Sequence, residues 1–235
     1  MKSLNGGTFN LRYGRPPYLV LREITKLFTK HRLHFLAVQE FSDYRDTFAR
    51  SHDFEVVPAS GQCESGIIVR RGVPFDKVTA HTYGDGWITI RGGKFPAAVH
   101  NEARINGWLY VRSVHLPTPI LWDNLVAKGP VDRVDDLAET AEGLRRYFQH
   151  PCWINARLAA GDWNEPPSTP GQYTPRWIAT RSGADIQAPQ SLAGHGRIDY
   201  AMSKGARIED IFKDTKIPEL SDHEPVIFRV VKGNR

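Results

Sequence analysis

The sequence predicts a layered α/β or α+β sandwich. Short apolar strands outnumber helices, and amphipathic stretches of helical spacing separate some of those strands. An Asn106-Gly107 pair also joins two β-like runs, and an Asn-Gly hairpin is antiparallel, which a simple doubly wound parallel sheet would not contain.

The elements follow in order. Residues 3–11 read as a first strand with Asn10 at its end. Residues 18–31 place Leu19, Ile24, Leu27 and Phe28 at helical spacing. His34 to Val38 is a short apolar run, expected as a strand buried on both faces. Gly66 to Val69 gives another strand after the loop GQCES. Ala97 to His115 is the hairpin, and its second arm, WLYVRSVH, ends on a histidine. Residues 116–129 read as an irregular loop. Residues 131–148 predict an amphipathic helix with Val134, Leu137, Ala141, Leu144 and Phe148 on one stripe. Leu158 to Ala160 is a short strand that runs into Gly-Asp-Trp-Asn. Ile198–Met202, Arg207–Phe212 and Val226–Val231 close the fold.

A chain of 235 residues is long enough for a full core and is read as one domain, 1–235. Its composition, 40% hydrophobic and 24% charged, is that of a globular protein. No window approaches the roughly 18 to 20 apolar residues of a membrane span, and the N-terminus has no apolar signal core. The expectation is a cytoplasmic monomer with no membrane partner. Cys63 and Cys152 form no CxxC pair, which excludes zinc and dithiol motifs. The net charge of +5, with Arg outnumbering Lys, favours polyanionic partners. Phosphate-binding loops of the GxxxxGK[ST] or GxGxxG type are absent.

The chemistry lies in the polar residues that end apolar strands. Asn10 follows Thr8-Phe9, Glu40 follows LAVQ and His115 follows VRSV. Asp162 and Asn164 follow LAAG, Asp199 sits in GRIDYAM, and Asp222-His223 precede the last strand. Strand ends in layered sheets open onto one rim, where ligands often bind. If the strands are neighbours, the rim gathers carboxylates, carboxamides and imidazoles. Oxygen donors without cysteine suit a hard cation, Mg²⁺ or Mn²⁺. No GxSxG or Cys-His arrangement offers a covalent nucleophile. Each residue alone also has a plain structural role: a solvated strand end, a cap or a turn.

The joint order adds more. TFNLR (8–12), VQE (38–40), SGIIVR (65–70), SVHLP (113–117), GDWN (161–164), RIDYAM (197–202) and SDHEPV (221–226) together resemble the endonuclease/exonuclease/phosphatase superfamily, deoxyribonuclease I- and exonuclease III-like. The resemblance runs from residue 8 to residue 226. It implies a four-layer α-β-β-α sandwich of two mainly antiparallel or mixed sheets flanked by helices, with the site at one rim. It also implies Mg²⁺ or Mn²⁺ held by Glu40, Asn10 and Asp222. Asp162 would position or deprotonate the attacking water, Asn164 would hold the phosphate, and His223, oriented by Asp199, would donate to it or act as base. His115 would assist the phosphate or the leaving oxygen. Trp163 stands where Phe or Leu is more usual in GDxN, and an aromatic there is expected to pack. The stretch GHGRIDY is shorter than its counterpart in abasic-site endonucleases.

The superfamily acts on DNA, RNA, inositol phosphates, sphingomyelin and protein–DNA adducts, and fold does not choose among them. Basic charge leans toward a nucleic acid, as do Trp122 with Lys128 in the loop 116–129, and Tyr173, Arg176, Trp177 and Arg181 after GDWN. Arg12, Asn164, Trp122, Arg176 and Trp177 are the expected substrate contacts. For the segment 172–181 a surface helix with Trp177 buried is an equal reading. The main expectation is a metal-dependent phosphodiesterase, a nuclease on DNA or RNA. The alternatives are a small-molecule or lipid-headgroup phosphoesterase, and a non-catalytic nucleic-acid-binding module.

Overall fold

The computed structural model describes residues 2–57, 65–82, 87–90, 93–96, 99–115, 132–149, 156–164, 166–168, 174–189, 198–216 and 222–233; of these, 77–82, 87–90, 93–96, 99–101 and 132–140 are described by their backbone alone. Cys63, Cys152, Trp122, Lys128 and Tyr173 lie outside the described residues.

Among the described residues, fourteen strands and four α-helices follow one another. They are β1 (Ser3–Asn10), α1 (Pro17–His31), β2 (Phe35–Gln39), α2 (Arg45–Ala49), β3 (Phe54–Val56), β4 (Ser65–Arg70) and β5 (Phe75–Thr82). Then come β6 (Trp87–Ile90), β7 (Gly93–Pro96), β8 (Val99–Ile105), β9 (Leu109–His115), α3 (Asp132–Gln149) and β10 (Ala156–Asp162). The last are α4 (Pro175–Ser182), β11 (Asp185–Gln187), β12 (Asp199–Lys204), β13 (Ala206–Lys213) and β14 (Val226–Lys232). One six-stranded sheet has the order β13-β14-β1-β2-β4-β3 and the other β11-β12-β10-β9-β8-β5; β6 and β7 pair separately. In each six-stranded sheet a central pair is parallel, β1 with β2 and β9 with β10, and the other pairings are antiparallel.

Alternation along the strands makes four layers. Phe35 and Ala37, Ile67 and Val69, Val111, Leu158 and Ala160 share one core between the sheets. Their strand neighbours Leu36, Val38 and Ile68 pack with Ile24, Leu27 and Phe28 of α1 on the outer face of the first sheet. Val114, Ala159, Tyr200 and Met202 pack with Leu144 and Phe148 of α3 and Ile178 of α4 on the outer face of the second. A four-layer sandwich follows, as the motif resemblance implies.

The local signals behave as their chemistry dictates. Asn106 and Gly107 both take positive φ, 50° and 70°, and Trp108 N donates to Ile105 O at 3.2 Å, closing the hairpin turn. Helix α4 starts on Thr174, whose side chain accepts from Trp177 N at 3.3 Å, and stops at Gly183 in the left-handed region. Trp163 packs: it is fully buried and stacked on Tyr200, ring centroids 5.2 Å apart. Among the described residues no helix is long and apolar enough to cross a membrane. Three-residue strands such as β3 and β11, at sheet edges, are too short to show a period in the sequence.

Candidate active site at the strand-end rim

Along the inner faces, side chains change from apolar to polar toward one rim. On β1 the series is Leu4, Gly6, Thr8, Asn10; on β2 it is Phe35, Ala37, Gln39; on β9 it is Val111, Ser113, His115; and on β10 it is Leu158, Ala160, Asp162. Because β1 and β2 are parallel, as are β9 and β10, all four C-terminal ends carry polar groups at the same level of their own sheets: Asn10 stands opposite Gln39, and Asp162 opposite His115. The antiparallel neighbours add their N-terminal ends. Asp199 of β12 pairs with Asp162, and Val226 of β14 pairs with Thr8, which brings the turn 222–225 to the same rim.

The contacts are close. Asn10 Nδ2 donates to Glu40 Oε1 and to Asp162 Oδ2, 3.1 Å in each case, so one amide joins carboxylates from the two sheets. Arg12 N donates to Asn10 Oδ1 at 3.0 Å, and Tyr13 N donates to Glu40 Oε2 at 2.8 Å. Asn164 N donates to Asp162 Oδ1 at 2.8 Å, leaving both Asp162 oxygens engaged. His223 Nε2 and His115 Nε2 lie 3.7 Å and 3.9 Å from Asp162 Oδ2, and His223 Nδ1 is 2.9 Å from Asp199 Oδ2.

The backbone bends unusually to achieve this. Arg12, Glu40 and Asn164 are non-glycine residues with φ of 60°, 54° and 51°. Such conformations cost roughly 1–3 kcal/mol each and persist where surrounding structure imposes them. At Arg12 the imposing contacts are visible. The buried Arg15 ion-pairs with Glu23, its Nη1 donates to Leu11 O at 3.1 Å, and the Tyr44 hydroxyl donates to Arg12 O. Gly161 meets a different demand. A Cβ there would stand 1.8 Å from the backbone oxygen of Val114, so only glycine lets β10 come this close to β9 just before Asp162 and His115.

The electrostatics follow from burial. Asp162 and Asp199 are buried, and His223 and Glu40 partly so. Desolvation works against a charged His223, but the Asp199 hydrogen bond and the charges of Asp199, Asp162 and Asp222 outweigh it and raise its pKa to about 9. At neutral pH the ring is an imidazolium. Asp199 is raised, first by burial and then by the charge of Asp162, against the lowering effect of His223. Asp162, Asp199 and His223 each offer a ligand atom within 4.8 Å of the others, a spacing that could hold a metal ion.

Every expected residue within the described chain can now be located. Asn10, Glu40, His115, Asp162, Asn164, Asp199 and His223 are gathered by direct contacts. Asp222 is exposed on the turn beside His223 and acts on it through charge. Arg12 is exposed on the loop after β1. Arg176 is exposed on α4, and Trp177, half-buried, packs against the outer core of the second sheet. Sequence reading gave no role to the backbone of Tyr13, or to Thr8, Gln39 and Ser113 beneath the rim. A main-chain donor leaves no sequence signal, whereas polar residues at inner-face parity could have flagged the other three.

No known protein-family model matches the sequence, and no curated protein matches it. Solved structures do. An endonuclease/exonuclease/phosphatase from Bacteroides vulgatus superposes with a TM-score of 0.63 at 13% identity, covering 99% of this chain and 100% of that one. The fold is the endonuclease/exonuclease/phosphatase fold. The human Nocturnin catalytic domain with bound sulfate matches at TM-score 0.65 and 13% identity, over 98% of this chain and 95% of that one. D. rerio TDP2 complexed with a single-strand DNA product matches at 0.62 and 11%, over 98% and 99%. At these identities the likeness concerns the fold, and the endonuclease/exonuclease/phosphatase sandwich accounts for the arrangement of strand ends described above.

Proposed function

We propose that this protein is a metal-dependent phosphodiester hydrolase and that its substrate is a nucleic acid. One observation carries the reading: Asp162, engaged at both oxygens, faces two imidazole Nε2 atoms and shares the Asn10 amide with Glu40.

The donor set fits a hard cation. Glu40 and Asp162 bring carboxylate oxygens together on the Asn10 carboxamide, and the clustered carboxylates call for a counter-charge. Glu40 and Asn10 would hold the ion, with Asp222 completing the water network. A protonated His223 with Nδ1 committed to Asp199 is a poor ligand, so we read it as a proton donor. When bound, Mg²⁺ or Mn²⁺ would neutralise phosphate charge and polarise the phosphorus for attack.

The chain's own groups supply the rest. Asp162 aligns a water for in-line attack and accepts its proton. His223 Nε2 donates to a phosphoryl oxygen as charge builds there, and Asp199 keeps the ring oriented. His115, whose Nε2 lies 3.9 Å from the same Asp162 oxygen, assists the leaving oxygen. The side-chain amide of Asn164 binds the phosphate. The P–O bond to the leaving group breaks, giving a phosphomonoester and an alcohol. Arg12, Arg176, Trp177 and Trp122 are proposed contacts to the rest of the substrate.

Two findings support nucleic acid over a small phosphoester: the net charge of +5 and the structural likeness to D. rerio TDP2 complexed with a single-strand DNA product. The test is a gel assay with Mg²⁺ on supercoiled plasmid, linear duplex, single-stranded DNA and RNA, with Asp162→Ala as control. Cleavage by the intact protein alone supports a nuclease. Turnover of a generic phosphoester with no polymer cut moves the reading to a small-molecule phosphoesterase, and no turnover of any phosphoester sinks both.

A further inference from the structure

The two halves of the cluster belong to different sheets. Asn10 ends β1 and Glu40 directly follows β2 of the first, and His115 and Asp162 end strands of the second. Apolar contact holds the sheets together but has no direction, so it resists separation better than it fixes an offset along the strands. Directional bonds are needed to set that offset, and one layer beneath the rim they are present.

Thr8, Gln39 and Ser113 are fully shielded from solvent between the sheets. Gln39 Nε2 donates to Ser113 Oγ at 3.0 Å, and Ser113 Oγ donates to Val38 O at 3.0 Å. Gln39 and Thr8 face each other at 3.2 Å within the first sheet. Thus the second sheet's hydroxyl holds both a side chain and a main-chain carbonyl of the first. Buried polar groups are costly unless every partner is in place, so this bridge tolerates little sliding. Its position is telling. Gln39 immediately precedes Glu40, Ser113 is two residues before His115, and Ser113 pairs with Ala160, two residues before Asp162.

We propose that the Gln39–Ser113–Val38 bridge is a register lock: Gln39 and Ser113 are positioning residues that hold Glu40 and Asn10 at the right offset from Asp162 and His115. This rests on the reading that Glu40 and its neighbours bind a divalent cation, and it names the part of the fold that shapes that site.

The test uses the full chain with Mn²⁺ alone as probe, its Kd read by electron paramagnetic resonance, alongside thermal unfolding. We expect the wild type to bind, and Ser113→Ala and Gln39→Met to weaken the Kd by about tenfold or more, as groups supporting metal ligands do. Both variants should remain folded at the assay temperature. Ser113→Thr, which keeps the hydroxyl, restores binding; Ser113→Cys, near in size but a weak donor, does not. Ser113→Cys also covers the case in which Ser113→Ala fails to fold. Unchanged Kd in Ser113→Ala, Gln39→Met and Ser113→Cys, with wild-type binding intact, overturns the lock and leaves the metal reading standing. Ser113→Thr binding no better than Ser113→Ala also overturns it. Absence of Mn²⁺ binding by the wild type removes the metal reading, and the lock with it.

Discussion

His223 Nδ1 lies 2.9 Å from Asp199 Oδ2, an arrangement that leaves the other ring nitrogen 3.7 Å from Asp162 Oδ2. One buried carboxylate therefore sets the orientation of the imidazole, and a second faces its reactive edge. The opposition between burial and this pairing gives the first prediction. The Asp199 pairing and the nearby carboxylates outweigh burial, so His223 should titrate above the ordinary imidazole range, at about 9. In Asp199→Asn the hydrogen-bonded negative charge is gone while burial remains, so the pKa falls. Imidazole ¹H–¹⁵N spectra against pH would measure it, and an unshifted titration in the variant would discard the assigned pairing.

Asp162 is the point where contacts from both sheets meet. Asp162→Ala and His223→Ala should each abolish hydrolysis, by roughly 10³-fold or more, while circular dichroism stays native. A wild-type rate in either variant would remove the mechanism.

Chelation tests the ion separately. Activity should vanish in EDTA and return with Mg²⁺ or Mn²⁺, and the ion should raise the unfolding temperature, since it binds only the folded chain. Full activity in chelator would refute the metal reading. Glu40→Gln keeps an acceptor for Tyr13 N but loses the charge, and should lose the thermal shift as well.

Gly161→Ala addresses packing. The added carbon would meet a backbone oxygen that cannot rotate away, so the two central strands must separate. A loss of about 1–3 kcal/mol is expected from overpacking, together with reduced activity, because Asp162 is the next residue. Thermal unfolding identical to wild type would show that the strands yield without cost.

Asp214 predicts an acid limb. It is buried, which alone would raise its pKa, but hydrogen bonds from Lys30, at 2.7 Å, from His31 and from Lys216 N outweigh burial and lower it from 3.8. A depressed folded-state pKa gives stability that is present above the unfolded value and lost as pH falls through the folded one. Its contribution should therefore be full near neutrality, begin to fall near pH 4 and be gone once the pH is below the folded-state value. Asp214→Asn should lower stability at neutral pH and flatten the acid limb in denaturant titrations. A limb of unchanged slope would assign acid unfolding to other carboxylates.

Much of this was legible in the residues. Apolar runs marked β2, β4 and β10, the spacing of Ile24, Leu27 and Phe28 marked α1, and Asn106-Gly107 marked the hairpin, because these are local preferences of backbone and solvent. The polar endings Asn10, Glu40, His115 and Asp162 could be read as strand ends for the same reason. What the sequence by itself determined was therefore which side chains sit at strand termini and what chemistry they offer. Only the tertiary structure decided that they meet. Strand order, the two parallel central pairs and the offset between sheets depend on contacts among residues far apart in the chain, as between Asn10 and Asp162, and such contacts leave no periodic trace. The same holds for the Tyr13 amide on Glu40 and the Gln39–Ser113 bridge. A main-chain donor has no residue identity, and a buried hydroxyl looks like any other serine until its partner from the opposite sheet is in place.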